Sequence, residues 1–333
     1  MEKVNVAILG ATGAVGRTMI RILQERRFPM RSLKLLASPH SAGKVIDLGA
    51  KTGIVEEFSP AALKDVDLVF GAVENDLAEE YAPLIRRSGA LFVDNSSAFR
   101  LDEDVPLVIP EINARDIRWH HGIVANPNCA TILAMMALSP ILKLTRVKRM
   151  IVSTYQAVSG AGMKGMDELE RQIRDPSAAP EVFPFPIAFN VIPQIGDFDE
   201  NGISAEEWKM QNEGRRIMHD EALQVSCTCV RVPVYRCHSE SIYVETETEV
   251  SLDAIRQAAE ECPGLVLNEA PYPTPKECTD SDAVVIGRLR QDGACKQGLH
   301  LWCCCDQLRK GAATNAVQIG EWAWQNGLLK KGV

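Results

Sequence analysis

Short apolar runs alternate with one-sided helical patterns through the first part of the chain. Val4-Asn5-Val6-Ala7-Ile8-Leu9 is the first run, and a helical stretch from Arg17 to Glu25 follows with Met19, Ile20 and Leu23 on one face. Leu33 to Ala37, Val66 to Val73 and Ala90 to Asp94 repeat the strand-like character, with a helix around Ala78 to Arg87 between the last two. Val105 to Pro110 and Gly122 to Ala125 are expected to complete the sheet. Near-continuous apolar strands alternating with helices predict a parallel, doubly wound α/β sheet.

The pattern changes after residue 130. Ile132 to Leu138 is apolar throughout and predicts a buried helix that soon meets Pro140. Arg149 to Tyr155 and a stretch from His300 read as strands, and Cys227 to Val234 and Ser241 to Glu249 alternate with period two. They predict an antiparallel-type sheet with one face packed and one exposed, and Pro233 marks an edge or a bulge. Residues 175 to 203 are rich in Pro, Phe and Gly and predict a long irregular excursion. Ser204 reads as an N-cap before Ala205-Glu206-Glu207. Ala312 to Leu329 reads as a last helix that returns to the first domain. The expected division is 1–128 with 311–333 as the doubly wound domain, and 129–310 as an α+β domain.

Composition narrows the classes. The chain has 333 residues, a formal charge of −8 and 46% hydrophobic residues. The acidic balance argues against a nucleic-acid partner or an anionic membrane surface, and no apolar run reaches membrane-spanning length. Because the first residues already read as a strand rather than a signal peptide, a cytoplasmic location is expected. The ten cysteines have no CxxC pair, so neither a metal site nor a disulfide framework is expected. Cys303-Cys304-Cys305 look like core strand positions.

Candidate chemistry sits at the ends of these elements. Gly10-Ala11-Thr12-Gly13-Ala14-Val15-Gly16 lies between a strand and a helix, the context of a dinucleotide fingerprint, although the spacing is GxxGxxG and an ordinary tight turn is the plainer alternative. The second strand ends in Ser38-Pro39-His40-Ser41-Ala42-Gly43-Lys44, with no acid for a ribose diol; a 2′-phosphate or a polar surface loop both fit. Asp94 to Arg100 follows a strand's C-terminal end, where such sheets place ligands, and Arg100 is either an oxyanion ligand or a solvated loop residue. Asn126-Pro127-Asn128-Cys129 is a turn before the apolar helix. It puts Cys129 at or beside a helix N-terminus, where a thiolate is favoured; a small buried residue is the competing reading. Gln156 to Gly162 is a small-residue loop suited to close ligand approach. Glu206 and Lys209 share a helix face, as in a plain i,i+3 pair.

These residues together resemble the aspartate-β-semialdehyde dehydrogenase family. The resemblance rests on Gly10–Gly16, Asp94-Asn95-Ser96 with Arg100, Asn128-Cys129-Ala130-Thr131, Ser153 to Gly162, Glu206 with Lys209, Arg231 with His238-Ser239-Glu240-Ser241, and Lys310-Gly311-Ala312-Ala313, in that order. It implies reversible NADP-dependent reductive dephosphorylation of L-aspartyl-4-phosphate to L-aspartate-4-semialdehyde, in lysine, methionine and threonine biosynthesis. By resemblance Cys129 is the nucleophile that forms a thioester, His238 the acid/base and Gln156 the group that orients the acyl. Arg231 would hold the substrate carboxylate, Glu206 its ammonium, and Arg100 with Lys209 the phosphate, beside Asn128. Gly10, Thr12, Gly13, Ala14, Val15, Gly16, Ser38, His40, Ser41, Ser159 and Gly160 would contact NADP, with NAD the alternative. Also implied are a dinucleotide-binding role for the first domain, a catalytic (substrate) and dimerisation role for the second, and a homodimer or homotetramer. A histidine titrating near neutrality would suit a thiol partner. His40, Glu74-Asn75-Asp76 and Gln307 depart from the family pattern; an acid at 74 or 76 would oppose a 2′-phosphate if it pointed inward. An acyl-CoA reductase would keep the Cys and His but need not keep Arg100 and Lys209. A non-catalytic NADP-binding regulator would have lost Cys129 or His238.

Overall fold

The computed structural model describes residues 2–49 and 52–329. The chain forms two compact units, Met1–Pro127 with Ala312–Val333, and Asn128–Gly311. In the first, β1 (Val4–Leu9), β2 (Met30–Ala37), β3 (Val45–Asp47), β4 (Thr52–Glu57), β5 (Leu68–Gly71), β6 (Leu91–Asp94) and β7 (Ile123–Ala125) lie in the order β3-β4-β2-β1-β5-β6-β7. All pairings are parallel except β3 with β4. The chain winds outward from β1 to β2 and β4, then reverses to β5. The first strand–helix turn therefore opens beside the switch point, where such sheets bind ligands. Val6, Ile8, Leu35, Phe70 and Val93 fill the core, together with Val317 and Ile319 of the helix Thr314–Gln325. That helix is entered through a π turn over Arg309–Ala313.

Two expectations change in this unit. Val105 to Pro110 is not a strand: it contributes a single bridge, Leu107 to Ala125, and turns helical at Pro110–Asn113. Pro106 and Pro110 have no N–H to give a ladder. The helix after the glycine turn starts at Ala14 rather than Arg17, which brings Ala14, Val15 and Gly16 into its first turn.

The second unit holds β8 (Val147–Gln156), β9 (Gln224–Arg231), β10 (His238–Thr246), β11 (Leu265–Leu267), β12 (Val284–Gln291) and β13 (Gly298–Cys305), in the order β11-β12-β13-β10-β8-β9. The sheet is mixed rather than antiparallel, because β8 with β9 and β11 with β12 run parallel. Period-two alternation reports burial of one face and carries no information on strand direction, so the sequence pattern is the same either way. β9 is an edge strand, and Pro233 lies just beyond its end. The helix Cys129–Leu142 packs across β8, β10, β12 and β13; apolar all round, it is buried almost throughout. The helix Ala205–Met218 packs on β9 and opens with a full capping box between Ser204 and Glu207. Cys303, Cys304 and Cys305 are all buried, and Cys304 packs with Cys237 and Cys278.

Residues 175 to 204 carry no helix or strand, as their composition implies. Their path is set from the helix Gly162–Arg174. The buried Glu168 carboxylate accepts the N–H groups of Glu181 and Val182 at 2.8 and 2.6 Å. The buried Gln172 carbonyl accepts those of Ile187 and Ala188 at 2.8 and 3.2 Å. Prolines at 176, 180, 184, 186 and 193 leave this segment short of backbone donors. The helix side chains satisfy several of those that remain.

Candidate active site

In the first unit the glycines divide their work. Gly10 has φ +84°, and a Cβ there would stand 2.2 Å from the Ala72 carbonyl oxygen. A Cβ at Gly16 would stand 2.3 Å from the Gly10 carbonyl oxygen, so this position lets the helix lie close against the turn. Gly13, the N-cap, is exposed, and the nearest atom to its missing Cβ is 3.5 Å away. That leaves room at a helix N-terminus for a pyrophosphate, so the turn fits a dinucleotide. Thr12, Ala14 and Val15 flank it, partly buried. Ser38 and His40 are exposed just past β2, while Ser41 is buried and its Oγ accepts from Lys44 Nζ at 3.3 Å. Glu74 and Asp76 lie exposed at the start of the helix Asn75–Arg87, which begins earlier than its periodicity implied.

Asp94, at the end of β6, is buried. Burial pushes its carboxyl up, against hydrogen bonds from Ser96 and the nearby Arg100 charge. Arg100 is itself buried, with Nη2 donating to the Asn95 carbonyl at 2.8 Å, so it is not a solvated loop residue.

In the second unit the chemistry gathers around one carboxylate. Asn128 caps the helix Cys129–Leu142: its Oδ1 accepts from Ala130 N at 2.9 Å and Thr131 N at 3.3 Å, which makes the half-buried Cys129 the first helical residue. The Asn128 Nδ2 donates to Glu206 Oε1 at 2.9 Å, and its backbone N–H donates to Glu213 Oε2 at 2.7 Å. Gln156 Nε2 also donates to Glu206 Oε1, at 3.0 Å, while Lys209 Nζ donates to Oε2 at 3.1 Å. Burial by itself pushes the Glu206 carboxyl up; the Lys209 ammonium and these hydrogen bonds outweigh it and hold it down at about 2. The i,i+3 pair exists, and its acid is buried rather than on a solvated face.

Arg231 closes β9. Its Nη1 donates to the Ala157 carbonyl at 2.7 Å, and burial lowers its affinity for its proton against the pull of Glu206 and Cys129. Gly160 stands against it: a Cβ there would be 2.7 Å from Arg231 Nη1 and 3.3 Å from His238 Cε1. Ser159, next to it, accepts from Gln307 Nε2, and Gln307 Oε1 accepts from Cys237 N at 2.8 Å. A Cβ at Gly311 would be 3.1 Å from that of Cys129.

His238 departs from expectation. The ring is completely buried, and the Ala157 N–H donates to its Nδ1 at 3.0 Å. Burial, reinforced by the Arg231 charge, pulls it down to about 3. A ring whose Nδ1 accepts a backbone hydrogen bond carries its proton on Nε2. The ring is thus a neutral hydrogen-bond donor rather than a group titrating near neutrality.

Three members of this network were not singled out from the sequence. Thr154 Oγ1 donates to Gln156 Oε1 at 3.0 Å, and it lies two residues earlier on the same strand face. Glu213 lies seven residues after Glu206 on the same helix face, a spacing that would have marked it. Phe183 has no such local signal; its ring lies 5.7 Å from the Arg231 guanidinium carbon. Among the described residues no group of three or more His, Cys, Asp or Glu could hold a metal ion, and no helix is long and apolar enough to cross a membrane.

A thiol at a helix start, a buried imidazole, a buried acid and a buried guanidinium in one unit, with a dinucleotide turn in the other, fit a two-domain dehydrogenase. Family models agree domain by domain: residues 5–120 match the NAD binding domain of semialdehyde dehydrogenases, and residues 138–310 their dimerisation domain. The aspartate-semialdehyde dehydrogenase of Aquifex aeolicus is 44% identical, with 97% of this chain and 99% of that protein aligned. That of Bacillus subtilis is 42% identical over 95% and 96%. The structure of the Vibrio cholerae aspartate semialdehyde dehydrogenase II complexed with ASA superposes with a TM-score of 0.95 at 41% identity, covering 98% of this chain and 99% of that one. The chain belongs to the aspartate-semialdehyde dehydrogenase family, and it is an oxidoreductase of that kind.

Proposed function

We propose that the enzyme interconverts L-aspartyl-4-phosphate and L-aspartate-4-semialdehyde with NADP(H) and phosphate, through a thioester on Cys129. The observation that carries this reading is that, in one unit, the buried Glu206 carboxylate takes the Asn128 and Gln156 amides while the buried Arg231 guanidinium feels the charges of Glu206 and of the helix-start Cys129. An α-amino acid needs an anion for its ammonium and a forked cation for its carboxylate; Glu206 and Arg231 supply them. Arg100 and Lys209 serve the phosphate.

In the biosynthetic direction the Cys129 thiolate, favoured at the helix N-terminus, attacks the acyl carbon; its S–C bond forms as the bond to phosphate breaks. Gln156, fixed by Thr154 and Glu206, orients the acyl group. The Gly10–Gly16 turn, Ser38, His40, Ser41, Ser159 and Gly160 would hold a nicotinamide dinucleotide, which would supply the hydride. The neutral His238 stabilises the oxygen that then carries negative charge, by donating from Nε2. When the S–C bond breaks, that charge returns to sulfur and the aldehyde leaves. The polar Ser38–Lys44 loop, with no acid at the end of β2, supports NADP over NAD. The proposed setting is the cytoplasm, in lysine, methionine and threonine biosynthesis, as a homodimer or homotetramer.

The test is NADPH formation from aspartate semialdehyde with and without phosphate. Turnover that requires phosphate and prefers NADP is expected; phosphate-independent turnover with coenzyme A would return the acyl-CoA reading.

A further inference from the structure

Arg231 sits where a guanidinium is hardest to hold still. It is the last residue of an edge strand, at the sheet's border with an irregular segment. Yet each part of it is held. On one side its backbone neighbours Gln156 of β8. On the other, Ile192 of the excursion exchanges both backbone hydrogen bonds with it, at 2.9 and 2.8 Å. One guanidinium nitrogen is fixed on the Ala157 carbonyl. Phe183, from the same excursion, covers the guanidinium, with the ring centroid 5.7 Å from the guanidinium carbon.

Phe183 is in turn confined. It is buried with Val158, Leu169, Ile187 and Ile192 in a small apolar cluster separate from the main core. Its ring tip reaches Gly165, where a Cβ would be 3.1 Å away, so this helix position leaves room for the ring. The backbone directly before Phe183 is captured by Glu168 through the N–H groups of Glu181 and Val182. Gln172 does the same for Ile187 and Ala188 on its other side. The excursion is thus fastened by two buried helix side chains and touches Arg231 at two points.

We propose that Phe183 is a positioning residue for Arg231, and that the excursion fastened by Glu168 and Gln172 is the device by which this enzyme selects substrates bearing an α-carboxylate. The proposal rests on the reading of Arg231 as the carboxylate ligand. An aromatic face holds a desolvated guanidinium by cation–π attraction and leaves its N–H edge available. With Nη1 on Ala157, no other guanidinium nitrogen of Arg231 has a hydrogen-bond partner among the described residues, so a free edge remains for a forked contact. Without the ring the guanidinium keeps its charge but gains room to swing. Loss should then fall on substrates that need the fork and spare those that do not.

The experiment compares two aldehydes, aspartate semialdehyde and 3-aminopropanal, which has hydrogen in place of the carboxylate. The kcat/KM ratio of the two is measured in the unsubstituted enzyme, Arg231→Lys, Phe183→Leu, Phe183→Tyr and Glu168→Gln. Phe183→Leu is expected to lower the ratio about tenfold to thirtyfold, the range of a desolvated cation–π contact, through the KM for aspartate semialdehyde. Its KM for phosphate should stay unchanged, and Phe183→Tyr should restore the ratio. One Glu168 oxygen accepts both N–H groups and the other accepts from Gln172 Nε2, so Glu168→Gln, which removes the charge and sets an amide NH2 against one of these donors, loosens the fastening and should lower it less. An equal loss on both aldehydes in Phe183→Leu marks a merely structural residue and overturns the proposal. If Phe183→Leu does not fold, an unchanged ratio in Glu168→Gln overturns it instead. If Arg231→Lys leaves the ratio untouched, the carboxylate assignment itself fails. A ratio lowered by Arg231→Lys but not by Phe183→Leu defeats this proposal alone.

Discussion

The glycine turn of the first unit and the Glu206 network of the second are built on opposite principles. The turn works through atoms that are missing: Gly10 and Gly16 allow close backbone approach, and Gly13 leaves space for a ligand. The network works through side chains that crowd: one carboxylate takes hydrogen bonds from Asn128, Gln156 and Lys209, and each of these is fixed by it. A turn of the first kind tolerates no added atom at its tight positions. A site of the second kind tolerates no lost partner, because a buried charge would then be left uncompensated.

The contrast is broken most severely at the thiol. Cys129→Ala should abolish turnover while leaving fold and NADP affinity intact; residual activity within about tenfold of the parent, or 1.4 kcal/mol, would sink the covalent route. Arg231→Lys keeps the charge and loses the fork. It is expected to lower kcat/KM for aspartate semialdehyde by about 30-fold or more, since breaking a desolvated pair costs roughly 2–5 kcal/mol. In the turn, Gly10→Ala adds a methyl at positive φ against a carbonyl and should cost about 3 kcal/mol or more, read as a lowered Tm. Gly13→Ala should leave Tm nearly unchanged and weaken NADP binding. If the two alanines behave alike, the division of labour among the glycines is wrong.

The network also sets how the fold meets acid. The Glu206 carboxyl is lowered from its ordinary 4.5 to about 2, so in that window the unfolded chain binds more protons than the folded one. Its contribution, on the order of 3 kcal/mol, is fully present above pH 4.5 and is lost as pH falls toward 2. Acid unfolding of Glu206→Gln should lack that part of the pH dependence, and an unchanged slope between pH 2 and 4.5 would count against it. His238, drawn down from 6.5 to about 3, has the same sign: its contribution is complete above pH 6.5 and falls as pH drops toward 3. The smallest effect is in the kcat/KM profile of the free enzyme. It should show no acid limb near pH 6.5 from His238, and a limb there that His238→Asn removes would contradict the neutral ring.

What could be read from the chain follows from how local each cause is. The strand–glycine–helix opening and the placement of Cys129 at a helix start depend on neighbours within a few residues. So does the Ser204 cap. The parallel pairing of β8 with β9 could not be read, because alternation is blind to strand direction. Val105 to Pro110 misled because its apolar character outweighed two prolines that prevent a ladder. The state of His238 depends on the Ala157 N–H, 81 residues away, and on burial that a sequence does not display. Phe183 and Arg231 meet across the excursion, and nothing in the residues around either one announces the other. Arg100 and Glu206 are legible as charged candidates, but their burial, which separates each from a solvated surface group, belongs to the fold.

Glu168 and Gln172 grip the excursion by its main chain, and every residue except proline offers the same N–H. Those four contacts are blind to side chains, although Ile187 packs with Leu169 of the helix and Glu181 pairs with Arg171 at 3.1 Å. Such a segment can be rewritten over many generations and still follow the same path, provided position 187 stays apolar and no proline arrives at those four places. The excursion should thus be free to vary in its outward character, including the exposed Phe185, Phe189 and Val191, while it keeps delivering one phenylalanine to one arginine.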